Sequence, residues 1–188
     1  ANFERVSVGT GGVEGNHDSF YLSLSEDASV VTFESFVSNW APDQTDLNFV
    51  DIFARDRQAD VTRKITYSYS GLAADQRSFD PYVSADGRYI SFISYATNLV
   101  PGDTNRQPYV DNGLDVFLYD WQDGSLDRVS LTWKGEQIDG NSVGQITPDG
   151  KFLIFSSNGL AVAQGDSNGE RATAVYVRNL QTGEVERI

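Results

Sequence analysis

Three acidic loops carry the residues of this chain best suited to chemistry. The first is Trp40-Ala41-Pro42-Asp43-Gln44-Thr45-Asp46-Leu47-Asn48. The second is Pro101-Gly102-Asp103-Thr104-Asn105, followed by Asp111 and Asp115. The third is Gly165-Asp166-Ser167-Asn168-Gly169-Glu170. Calcium takes roughly six to eight hard oxygen ligands, and Asp-x-Asn spacing can place two side chains on one ion. Asp43, Asp46, Asp103, Asn105, Asp115, Asp166 and Asn168 are therefore candidate Ca2+ ligands. None of the loops completes the EF-hand pattern, which ends in a bidentate Glu. Asp and Asn also end strands by accepting backbone N–H bonds in Asx turns, so a turn role competes with an ion.

Trp40, Tyr69, Tyr95, Tyr109 and Trp133 fall in the long polar connections and form a candidate binding face for peptide or sugar. The competing role is packing of those loops onto the scaffold. Catalytic signals are weak. His17 is the single histidine, so a metal site built from several histidines is excluded. Gly140-Asn141-Ser142-Val143-Gly144 spells the nucleophile elbow of serine hydrolases, but it enters a strand where that motif needs a following helix. Gly9-Thr10-Gly11-Gly12 lacks the glycine spacing of a dinucleotide site. Nothing selects a catalytic pair from the 27 carboxylates.

The net charge of −13 disfavours nucleic acid and anionic membrane as partners. The absence of cysteine excludes disulfides, zinc–thiolate sites and thiol catalysis. No apolar run approaches the length of a membrane-spanning helix, so membrane insertion is not expected.

The elements that must position these loops follow from a period-two alternation. One strand-turn-strand unit occurs three times, around Asp27-Ala28, Asp86-Gly87 and Asp149-Gly150. Each unit resolves into four strands. The third strands are residues 51–56, 115–120 and 174–179. The fourth begin at Lys64, Arg128 and Arg187, and a further fourth-strand copy stands at Arg5-Val6-Ser7. The spacings between these basic residues are 59, 64 and 59. Such repeats predict an all-β chain of three four-stranded antiparallel propeller blades, near 18–67, 79–131 and 142–188, with one extra outer strand at 3–8. The basic residues of the fourth strands are read as outer charges that discourage edge pairing.

Ser84-Ala85-Asp86-Gly87-Arg88 and Thr147-Pro148-Asp149-Gly150-Lys151 resemble the turn of the TolB-like propeller family, Ser-Pro-Asp-Gly-Lys followed by an apolar strand. Ser25-Glu26-Asp27-Ala28-Ser29 departs from it at Ala28. The resemblance implies a periplasmic or otherwise secreted binding and scaffold component. Propellers close with roughly four to eight blades, so three imply part of a larger ring. The chain is then a fragment (its stop at Ile188 inside the fourth-strand pattern points that way), a piece paired with another, or half of a ring made by two copies. The expected function is a non-enzymatic module that binds a protein partner or another copy of itself. The alternative is a carbohydrate-binding or carbohydrate-active domain on the long-loop face.

Overall fold

The computed structural model describes residues 3–41, 49–105, 113–166 and 172–188. Twelve strands make three antiparallel sheets, each in sequence order. The first blade is β1 (Ser19–Leu24), β2 (Val30–Ser35), β3 (Asp51–Asp56) and β4 (Val61–Lys64). The second is β5 (Ser78–Val83), β6 (Tyr89–Ser94), β7 (Asp115–Asp120) and β8 (Leu126–Arg128). The third is β9 (Ser142–Ile146), β10 (Phe152–Ser157), β11 (Ala174–Asn179) and β12 (Val185–Arg187). Among the described residues the helical content is one 3-10 turn, Thr10–Gly12, and no helix is long and apolar enough to cross a membrane.

The recurrent Asp-Gly turns explain themselves locally. Asp86 Oδ1 accepts the Ser84 hydroxyl at 2.6 Å and the Arg88 N–H at 3.0 Å, while Ser84 Oγ accepts the Tyr89 N–H. Asp27 and Asp149 repeat this with Ser25 and Thr147. The next residue must be left-handed: φ is 75° at Gly87 and 69° at Gly150, and Ala28 holds φ 58° in the first copy. An L-residue pays about 1 kcal/mol for that conformation, which is why glycine prevails there.

Each blade packs face to face on the next. Val30, Ile52, Val83, Ile90, Phe92 and Phe117 fill the space between the first two. Ile93, Val116, Leu153, Phe155 and Tyr176 fill the second gap. In the first two blades the central strands are buried on both faces, so their near-continuous apolar runs follow from having cover on each side. Hydrogen bonds cross the gaps: Val83 N–H donates to Ser23 Oγ and Ile146 N–H to Ser91 Oγ, both at 3.1 Å. The turns also join, Glu26 N–H to Ala85 O and Ala85 N–H to Pro148 O.

Two expectations change. Residues 3–8 join none of the three sheets; Val8 makes an isolated bridge to Glu14, as Tyr67 does to Ala73 and Leu131 to Gln137. The segment instead lies on the first blade, with Val6 and Trp40 packed on Val31, Phe33 and Phe53. The expected fourth-strand position is therefore occupied without strand pairing, because no third strand of an earlier blade stands beside it. Two of the fourth-strand basic residues, Lys64 and Arg128, are not outward edge charges either. Lys64 is buried with Nζ 3.0 Å from Asp51 Oδ2, and Arg128 points inward to Asp103 and Asp115. A buried cation needs a paired carboxylate, and the first residue of the third strand supplies it in two blades. In the third blade that position is Ala174, and Arg187 turns to Asp166 at 2.9 Å.

Candidate functional site

The acidic loop of the second blade forms a closed polar knot. Asp103 Oδ1 lies 3.3 Å from Arg128 Nη1 and accepts Gln137 Nε2 at 2.8 Å. Asp115 accepts the Ser130 hydroxyl at 2.7 Å and Asn105 Nδ2 at 3.0 Å, with Arg128 at 3.6 Å. Burial pushes the Asp115 carboxyl up to about 6, opposed by Ser130 and Arg128. Burial also raises Asp103. Asp166 accepts Tyr176 Oη at 2.6 Å as well as Arg187. Asp103, Asn105 and Asp115 are thus brought together around a guanidinium, and Asp166 stands apart from them on its own cation. Among the described residues no group of three or more His, Cys, Asp or Glu is placed to hold a metal ion. Asp43, Asp46 and Asn168 lie outside the described residues.

The aromatic face divides. Trp40 is wedged edge-on between Phe33 and Phe53, and its Nε1–H donates to Val13 O at 3.1 Å. A Cβ at Gly9 or Gly15 would meet its ring, so those glycines admit it. Tyr95 packs against Phe79. Only Tyr69 and Trp133, among the described members, are exposed. They occupy one repeat position, at the tips of the hairpins closed by Tyr67↔Ala73 and Leu131↔Gln137. Tyr109 lies outside the described residues. Ser142 of the hydrolase-like motif is buried at the start of β9 and bonds Ser157, as a strand residue does.

The most informative surface lies at the two ends of the blade stack. Leu24, Val83 and Ile146 hold one register position, opposite Val31, Ile90 and Leu153. Val83 and Ile146 are 2% and 1% exposed, while Leu24 is 50% exposed. On this leading face of the first blade Val6 and Trp40 cover Val31, Phe33 and Phe53, and Leu24 is left exposed. At the other end Ile52, Val116 and Val175 hold one position of the third strand, opposite Glu34, Ile93 and Ser156. Ile52 and Val116 are fully buried; Val175 is 44% exposed. Ile154 is exposed beside it where Thr32 and Ser91 are covered. This trailing face borders a cleft of about 510 Å³ lined by Tyr21, Asp80, Tyr82, Gln145, Ile154 and Val175. Reading the sequence strand by strand missed both faces, because each residue is apolar where a blade should be apolar. Aligning the three registers would have located the positions, but not their exposure.

Glu34 was also missed. It stands where the other blades have Ile93 and Ser156, buried in the first gap, and accepts the Asp80 N–H at 2.7 Å. Burial raises its carboxyl to about 7, partly offset by that N–H and reinforced by the Asp80 charge. A folded-state pKa above the unfolded one gives stability that is complete below about pH 4.5 and lost as pH rises through 7. Asp115 acts with the same sign, centred near pH 6, so its smaller share extends into the same interval. Urea unfolding should therefore lose up to ~1 kcal/mol between pH 6 and 7. Glu34→Gln should remove most of that loss, and Asp115→Asn the smaller part.

Stacked four-stranded blades with short first-to-second turns define a partial β-propeller, and its architecture is TolB-like. The chain is similar to TolB from Acinetobacter baumannii (19% identity, TM-score 0.50), covering 91% of this chain and 32% of that one. It is similar to an oligogalacturonate lyase in complex with manganese (15% identity, TM-score 0.55, 94% and 43% covered). It is also similar to the β-propeller domain of the Trilobed protease from Pyrococcus furiosus, described as having an open velcro topology (13% identity, TM-score 0.52, 92% and 42% covered). The chain spans less than half the length of each. At these identities the likeness is one of fold, and the fold serves both enzymes and other proteins. No protein-family model and no curated protein sequence matches the chain.

Proposed function

We propose that this chain is a non-enzymatic propeller module of an exported protein, and that the apolar residues exposed at the ends of its blade stack, Leu24 at one end and Ile154 and Val175 at the other, bind protein. The carrying observation is the register contrast: Leu24 and Val175 are half exposed at positions that the other blades bury completely. An apolar sheet face of this kind is a docking surface in a soluble protein. The assignment to an exported protein rests on the resemblance to TolB-like proteins. The test pairs light scattering with 1-anilinonaphthalene-8-sulfonate fluorescence on the parent and on Ile154→Asp/Val175→Asp. The parent should either self-associate or bind the dye, and the variant should lose that property while melting within about 2 °C of it, since exposed substitutions cost little. A parent that does neither would overturn the reading.

A second reading has one observation in its favour. Tyr69 and Trp133 present exposed rings at equivalent hairpin tips. Such rings suit stacking on the apolar face of a sugar. Titration with oligosaccharides should then quench tryptophan emission, and Trp133→Ala should abolish the quenching.

A further inference from the structure

We infer that the cleft along the first strands of the blades binds an organic cation, a guanidinium or ammonium group, with Asp80 as its counter-charge and Tyr21 and Tyr82 as its aromatic walls. β1 lies against β5 and β5 against β9, so the first strands of the three blades stand together. Tyr21, Asp80, Tyr82 and Gln145 come from these three strands and line one space of about 510 Å³. That volume suits a small ligand or one side chain of a larger one. The blades of a propeller surround a central channel. A further blade in the stack adds its own first strand to that wall and leaves these four residues facing the channel.

The make-up of the cleft selects the sign of its ligand. Asp80 is the one charged side chain among the lining residues, and no Lys, Arg or His lines it. Asp80 is exposed, and among the described residues its carboxylate accepts no hydrogen bond and meets no cation. Its own N–H donates to Glu34 Oε1 at 2.7 Å, so the group behind it is a second carboxyl and not a counter-charge. An anionic ligand would meet like charge here. Tyr21, 67% exposed, and Tyr82 add ring faces, which attract a cation within about 6 Å. The net charge of −13 draws cations towards the chain as a whole.

The backbone aims these side chains by a device that the third blade lacks. Tyr21 and Asp80 sit in β-bulges, where pairing shifts between Phe20 and Ser23 and between Phe79 and Tyr82. Their φ angles are 46° and 52°, in the left-handed region. Glycine adopts that conformation freely and does so at Gly87, Gly124 and Gly150, yet both bulges keep a functional side chain. Bulges re-aim side chains next to sites. In β9, Val143, Gly144 and Gln145 pair in unbroken register with Ser156, Phe155 and Ile154. A Cβ on Gly144 would lie 2.3 Å from Ile154 O, so that position carries no side chain. The Gln145 amide and the Ser156 hydroxyl beside it offer neutral hydrogen bonds to the body that carries the cation.

Isothermal titration calorimetry of the full chain with N-acetyl-arginine amide should show saturable binding, with a Kd of about 1 mM or below. The neutral isostere N-acetyl-citrulline amide should show none. Amide NMR shifts at Tyr21, Asp80, Tyr82 and Gln145 should move with the titration. Asp80→Asn keeps a residue that tolerates positive φ and should weaken binding by about tenfold or more. Asp127→Asn removes the same charge from the exposed centre of β8 and should change it by less than about twofold. Tyr21→Leu should weaken it by about threefold and Tyr21→Phe should not. Agmatine, a guanidinium without peptide groups, separates the two sources of such a cation. Tighter binding of the arginine amide assigns the site to a basic peptide segment, and equal or tighter binding of agmatine assigns it to a small free cation. No saturable binding of either probe overturns the inference. Equal losses in Asp80→Asn and Asp127→Asn also overturn it, because they would show diffuse attraction to an acidic chain. If Asp80→Asn fails to fold, equal affinities of Tyr21→Leu and Tyr21→Phe overturn it in its place.

Discussion

Phe117→Ala should lower the unfolding free energy by about 3–5 kcal/mol, the range for deleting a fully enclosed aromatic ring. In a chain of this size the melting temperature should fall by roughly 10 °C or more. Phe117 has no exposed surface and stacks on Phe92, ring centroids 5.7 Å apart and planes 19° from parallel. It faces Ile52, Ala54 and Ile65 of the first blade within one cluster. Removing it opens a void shared by two blades, and neither sheet can collapse into the void without breaking its ladder. Phe117→Leu, which keeps most of the volume, should cost substantially less. Calorimetry on the two variants checks both values. A loss below 1 kcal/mol for the alanine would mean that the two blades do not pack as described.

Asp115→Ala should be comparably damaging for an electrostatic reason, by about 3 kcal/mol or more. The carboxylate is fully buried, accepts Ser130 and Asn105, and faces Arg128. Its loss leaves a guanidinium in the interior with Asp103 as its remaining carboxylate partner. Asp115→Asn keeps an acceptor and should cost less. Pairing Asp115→Ala with Arg128→Met removes the stranded charge, so the double variant should regain much of the stability; a double-mutant cycle in urea measures the coupling. Additive losses would show that the two groups do not depend on each other.

The turns were readable because their chemistry is local. Asp86, Gly87 and Ser84 lie within four residues, and an Asx bond with a left-handed residue beside it needs no distant partner. The apolar runs of β2, β6 and β10 were readable because a sheet imposes a period of two on any chain that forms it. Three units of one pattern then implied three blades. The partners of the second acidic loop were not readable for a related reason. Asp103-x-Asn105 has the spacing of an ion site, and nothing in that tripeptide says that Arg128 and Gln137, some thirty positions later, lie beside it.

Lys64 and Arg128 show the same limit. A cation on an outer strand is expected in water, yet these two turn inward because an aspartate at the head of the neighbouring strand meets them across the ladder. Trp40 looked like a binding anchor by residue type and became core through Gly9 and Gly15, which leave room for its ring. By itself, then, the sequence determined the strands, the turns and the blade count, all set by bonds and side-chain alternation within short spans. Only the tertiary structure decided which charges are buried, which aromatics are exposed and that Leu24 and Val175 stand uncovered, because burial is a property of what another part of the fold places against a residue.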